Sequence, residues 1–198
     1  MVLETLAIPA VALLVITSLG LLLSRDWRLS IGALAAQYAG LFVLVAISWP
    51  LESAVVKLVT GWMAGAVLGM ALVGSPDVLK QTQQTSISGT LFRLTAGLIL
   101  TIVVFSLAPN LIEWTPQVEL TQVIGSFILI GMGLLHLGLT DQPLRVALGL
   151  LTFLSGFEIL YAAVETSALV TGLMAVINLG LALVGAYFLT LTTERENP

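Results

Sequence analysis

Three ionisable side chains stand inside long apolar runs of this chain: Lys57, His136 and Glu158. A charge in hydrocarbon is expensive, so such a group marks an ion or proton route, or a buried structural pair. Glu158 lies in Ser155-Gly-Phe-Glu-Ile-Leu160, about six residues from the nearer end of its run and so on the order of 9 Å deep at a helical rise. A carboxylate cannot snorkel to water from that depth. It must be neutral, paired, or open to a wet cavity. Lys57 follows Glu52 and stands at a similar depth from the same side. It is either a snorkelling amine or the partner of Glu158. His136 sits near the opposite end of its run, before Asp141, as a relay imidazole or as a hydrogen-bonding contact between helices. Glu158 therefore stays open between a titrating proton-path carboxylate and a structural bridge to Lys57, and a coupled pair can itself be the switch. Gln37, Tyr38, Asn178 and Tyr187 are further polar groups within runs and read as polar contacts between helices.

Enzyme chemistry finds no foothold. One histidine and no cysteine leave no metal-ligand cluster and no thiol nucleophile. There is no H-E-x-x-H, no G-x-S-x-G, no P-loop and no dinucleotide fingerprint. No catalytic, metal-binding or cofactor-binding residue is expected, and nucleic acid is not an expected partner. Glycines at spacings such as Gly61-x-x-x-Gly65-x-x-x-Gly69 read as close helix packing.

The elements that hold these residues follow from composition. The chain has 198 residues, 58% hydrophobic and 9% charged, with a mean hydropathy of +1.08. A soluble domain carries roughly 25% charged residues, so this chain belongs in a bilayer. A span needs about 20 mostly apolar residues. Seven runs qualify: Leu3 to Leu23, Leu29 to Trp49, Glu52 to Val73, Thr90 to Leu107, Leu120 to Leu139, Leu144 to Val164 and Thr166 to Leu191. Turn and breaker residues separate them, including Ser24-Arg25-Asp26, Trp49-Pro50, Pro109-Asn110 and Asp141-Gln142-Pro143. The polar stretch from Ser75 to Gly89 reads as a loop. The first run lacks a basic lead and carries Glu4, as expected of a retained helix rather than a cleaved signal.

Basic residues mark the cytoplasmic side. Arg25 and Arg28 flank the first connection, Lys80 and Arg93 the third, Arg145 follows the fifth, and Arg195 lies in the tail. The second, fourth and sixth connections hold only acids: Glu52, Glu113, Glu119 and Glu165. The expectation is an N-terminus outside and a C-terminus inside, with Trp27, Trp49 and Trp114 in an aromatic belt.

Part of the chain occurs twice. Leu58 to Gly74 reads LVTGWMAGAVLGMALVG and Leu169 to Gly185 reads LVTGLMAVINLGLALVG, identical at twelve of seventeen positions without a gap. Arg28-Leu-Ser-Ile-Gly32 and Arg145-Val-Ala-Leu-Gly149 agree more loosely. The expected fold is an all-α integral membrane protein of seven helices, in which helices 1–3 and 5–7 form two parallel repeats joined by helix 4. The corresponding division is residues 1–74, a connecting segment 75–118, and residues 119–198.

Gly131-Met-Gly-Leu-Leu-His-Leu-Gly-Leu139, Gly156-Phe-Glu-Ile159 and Gly180-Leu-Ala-Leu183 make the last three helices resemble the K subunit of bacterial complex I. The C subunit of Mrp antiporters and the E subunit of hydrogenase-4 share that pattern. The resemblance covers about 70 residues and extends faintly to helices 1–3 through the duplication. It implies a non-catalytic subunit of a proton- or sodium-translocating membrane arm, with Glu158 in a proton path and antiporter-like and complex I-like membrane subunits as partners. Complex I members carry a second glutamate where Val176 stands here, and the first-repeat position nearest Glu158 is Leu41. Lys57, His136 or a partner subunit would have to supply the missing group. The resemblance implies a parent complex of quinone-oxidoreductase or hydrogenase type and a prokaryotic inner membrane, with a thylakoid-like membrane as the alternative.

A second reading is an independent small-solute transporter, because three helices, a connector and three helices is also the plan of the SWEET sugar carriers. Their Pro-Gln motif is not matched, since Gln142-Pro143 is reversed and lies in a connection. Asn178 and Trp62 are the candidates for a solute site.

Overall fold

The computed structural model describes residues 2–74, 87–113, 117–165 and 167–196, with side chains over 5–74, 89–113, 117–165 and 167–191. It is all helical: α1 (Val2–Leu23), α2 (Trp27–Ser48), α3 (Leu51–Val73), α4 (Ile87–Ile112), α5 (Leu120–Gly138), α6 (Pro143–Val164) and α7 (Ala168–Glu196). Each is long and apolar enough to cross a membrane. Local chemistry sets several boundaries. Asp26 caps α2 by accepting the Arg28 N–H at 2.9 Å. Glu119 and Gln122 form a reciprocal capping box on α5. Pro143 opens α6, where its missing N–H costs nothing. Trp49 is extended before Pro50, as the residue preceding proline prefers.

One boundary differs from expectation. Pro109-Asn110 does not end the fourth span: α4 runs on to Ile112 with Pro109 inside it, and it begins at Ile87, within the stretch read as loop. A membrane helix tolerates proline because neighbouring groups and small local backbone adjustments satisfy the carbonyl it frees, while unwinding the chain in hydrocarbon would free several more. The seventh helix begins at Ala168 rather than Thr166 and continues to Glu196. Lys80, Trp114 and Ser75-Pro76-Asp77 lie outside the described residues.

Neighbouring helices pack in chain order, α1 on α2 on α3 and α5 on α6 on α7. The two rows then face each other with α1 against α5, α2 against α6 and α3 against α7. The peripheral helix α4 leans on α5 and α1. It is the least buried span, whereas α6 is the most buried. The tightest crossing joins α5 and α6. A Cβ at Gly133 would lie 2.6 Å from the Phe153 nitrogen, and one at Gly156 would lie 2.6 Å from the Ser126 carbonyl oxygen. Without those glycines the two backbones could not approach so closely. The expected Gly61-Gly65-Gly69 stripe is less uniform. Gly61 meets the Tyr38 ring, Gly65 makes ordinary contact, and Gly69 has open space beside it.

The two similar segments lie on α3 and α7, which pack against each other. They do not bury the same positions. Ala64 and Leu68 are buried, while their counterparts Ala175 and Leu179 are half-buried. Conversely Asn178 and Ala182 are buried, while Val67 and Ala71 are half-buried. Near-identical segments thus present different faces to the core: α3 packs against α2 and α7, whereas α7 packs against α3 and α6.

Candidate functional site

Four helices contribute to one buried polar cluster. From α3, Lys57 Nζ donates to Glu158 Oε1 on α6 at 2.8 Å, and each side chain is 1% exposed. From α7, Asn178 Nδ2 donates to the same oxygen at 2.8 Å. From α2, the Tyr38 hydroxyl donates to Asn178 Oδ1 at 3.2 Å. The snorkelling reading of Lys57 is overturned: its amine turns inward to the carboxylate, which repays part of the desolvation of both charges. Tyr38 and Asn178 do join helices, as read from sequence. Asn178 does more, since its amide fixes the orientation of the carboxylate.

The two similar segments differ at the cluster: Asn178 is buried and polar, and its counterpart Val67 is half-buried and apolar. Gly61 lets the Tyr38 ring lie directly on the α3 backbone, where a Cβ would fall within the ring. Its counterpart Gly172 has no side-chain neighbour within 4 Å. Glu158 Oε1 receives two donors, whereas Oε2 is buried without a hydrogen-bond partner among the described residues. An acceptor left bare in this setting is costly. It is the atom of the cluster at which a proton or a water would be held.

A second layer lies beside the first. Gln37 Nε2 donates to Thr152 Oγ1 at 3.3 Å, linking α2 and α6, with Gln37 Oε1 left bare. Gln122 Nε2 donates to the Leu44 carbonyl at 2.9 Å and to Ser48 Oγ at 2.8 Å, tying α5 to α2. Sequence reasoning did not single out Thr152 or Gln122. Their signal was weak: threonine and glutamine in a span are ordinary until a partner faces them.

Other expected residues fall elsewhere. His136 is buried near the end of α5, with Nε2 unpartnered. It belongs to the arginine-bearing end, where Arg145 and Arg93 are its electrostatic neighbours, and no hydrogen bond joins it to Glu158. Tyr187 does not serve as a buried contact. It is exposed and pairs with the Phe188 ring at 6.1 Å. Trp49 is buried rather than lipid-facing, and its Nε1 donates to the Glu165 carbonyl at 2.8 Å. Trp62 is exposed, donates to the Ala35 carbonyl at 3.1 Å, and shares no site with Asn178. Among the described residues no group of three or more His, Cys, Asp or Glu could hold a metal ion.

These features define a class: a multi-pass, seven-helix membrane protein with an ion pair buried between its two rows of helices. Comparison with protein families, with characterised proteins and with solved structures finds no match.

Proposed function

We propose that this chain is a non-catalytic membrane subunit of a proton- or sodium-translocating redox complex, in which the Lys57–Glu158 pair holds a proton on its way across the membrane. The observation that carries the reading is the pair itself, buried at 2.8 Å with one carboxylate oxygen still bare. A purely structural bridge is better served when every lone pair is satisfied. The resemblance of α5–α7 to the K subunit of complex I supplies the parent class. The helices stand as two parallel repeats about α4, with the N-terminus outside, and the row-on-row packing of α1, α2 and α3 against α5, α6 and α7 supports that plan. Antiporter-like and complex I-like subunits are the proposed partners, in a prokaryotic inner membrane. The transporter reading is weaker, because Asn178 is already committed to Tyr38 and Glu158 and Trp62 faces away.

Mild-detergent purification of the tagged chain, with mass spectrometry of what accompanies it, tests the assignment. Antiporter-like and quinone- or hydrogenase-type subunits in fixed ratio are expected. A lone chain or homo-oligomer would overturn it and favour the transporter. In the assembled complex, Glu158→Gln keeps the shape and removes the titration. Pumping should fall at least tenfold, in line with loss of a positioned proton-transfer group. Normal pumping by the assembled variant would remove Glu158 from the path.

A further inference from the structure

A groove of about 640 Å³ runs between α1 and α2 at the end of the bundle where their connection lies. Its deeper walls are apolar, from Ile16, Gly20, Leu29 and Gly32, and its mouth carries Arg25 and Arg28. Gly20 and Gly32 have no neighbour within 4 Å of the position a Cβ would take, so the missing side chains leave the groove open. The shape is that of a slot with a hydrocarbon floor and a cationic rim.

The rim is held in place by all its neighbours. Arg25 Nη2 donates to Thr90 Oγ1 on α4 at 2.8 Å. Arg145, at the start of α6, donates through Nη2 to the Ser24 carbonyl at 2.7 Å. Ser30 Oγ donates to Ser24 Oγ at 3.0 Å. Arg28 lies over the Trp27 ring, 5.4 Å from its centroid. The carboxylate at this corner, Asp26, is occupied in capping α2. None of Arg25, Arg28 or Arg145 is in a salt bridge with a carboxylate among the described residues. Arg145 is 5% exposed and its Nη1 has no partner. It also stands in the first turn of α6, where the helix dipole already favours an anion. Among the described residues, these arginines are gathered at one corner with no carboxylate paired to them.

We propose that this groove binds an anionic phospholipid of the leaflet on the arginine side, with one acyl chain along Gly20 and Gly32 and the phosphate against Arg25 and Arg28. Charge complementarity selects the headgroup and the glycine-lined floor selects the chain. A second groove gives the contrast. It lies between α6 and α7, about 270 Å³, and its walls are also apolar, including Val146, Leu181 and Phe188, but the charged group at its rim is Asp141. A lipid there gains no headgroup attraction. The inference does not depend on the proton-path reading, because no residue of the groove belongs to the Lys57–Glu158 cluster.

The test is lipid retention by the purified full chain, or by its complex if it purifies as one, read by native mass spectrometry after exchange into phosphatidylglycerol or phosphatidylcholine. Phosphatidylglycerol should be retained roughly thirtyfold more than phosphatidylcholine, the size expected for two arginines at a membrane surface. Arg25→Gln with Arg28→Gln should abolish that preference. Gly32→Leu, which the open space tolerates, should reduce retention of both lipids while leaving the melting temperature unchanged. Equal retention of the two lipids overturns the proposal, as does full retention by the double glutamine variant. Inorganic phosphate separates a lipid site from a bare anion site. If millimolar phosphate displaces phosphatidylglycerol and Gly32→Leu has no effect, the acyl-chain groove is refuted.

Discussion

At the scale of the residue, the decisive object is a charge pair that neither partner can leave. Lys57 and Glu158 are both buried, so removing one strands the other. Lys57→Met alone should destabilise the protein by about 3–5 kcal/mol, and Lys57→Met with Glu158→Gln should recover most of that loss. Melting in detergent, followed by size-exclusion fluorescence, reads both. A double variant no better than the single would show that the two groups do not depend on each other. Recovery of stability without recovery of pumping would assign the pair both roles. Tyr38 gives a second test at this scale. Gly61→Ala drives a methyl group into its ring, and should cost about 1–3 kcal/mol through overpacking while pulling the hydroxyl off Asn178. Gly172→Ala, at the equivalent place in the second copy, meets open space and should leave the melting temperature within the error of measurement.

At the scale of the element, the α5–α6 crossing organises the second row. Gly133 and Gly156 set the helix separation because backbone atoms, not flexible side-chain ends, stand opposite them. Gly133→Ala should therefore lower stability by about 1–3 kcal/mol. Gly69→Ala, beside open space, serves as the control measured on the same day. If the two variants melted alike, the close crossing would not be what holds these helices. The start of α2 was legible because Ser24-Arg25-Asp26 is a local breaker signal, whereas the Glu119–Gln122 capping box of α5 was recognised only in the structure. Pro109 misled because the rule that proline ends a helix is calibrated on chains in water. In hydrocarbon, a broken hydrogen bond at one turn is cheaper than an unwound backbone with several.

At the scale of the molecule, the proposed orientation makes a prediction that the chain is well suited to test, since it contains no cysteine. Single cysteines at Gln142 and Glu113, both exposed positions, should react with a membrane-impermeant thiol reagent from opposite faces of sealed vesicles. Gln142→Cys should label from the cytoplasmic side and Glu113→Cys from the outside. The reverse pattern would invert the orientation, and labelling of both from one side would break the span count between them.

Composition and run length alone determined that this is a seven-helix membrane chain, because a bilayer admits few other solutions for so apolar a sequence. The unusual residues were equally visible: a glutamate, a lysine and an asparagine in hydrocarbon are conspicuous whatever surrounds them. Tertiary structure decided which of them meet. Lys57 and Glu158 are 101 positions apart, and periodicity on each helix gave no azimuth relative to the others, since in lipid both faces of a helix are apolar. For the same reason the two similar segments looked equivalent in sequence. Only packing against different neighbours set Asn178 inward where Val67 is half-buried, turned Tyr187 outward and Lys57 inward, and left His136 at the arginine end.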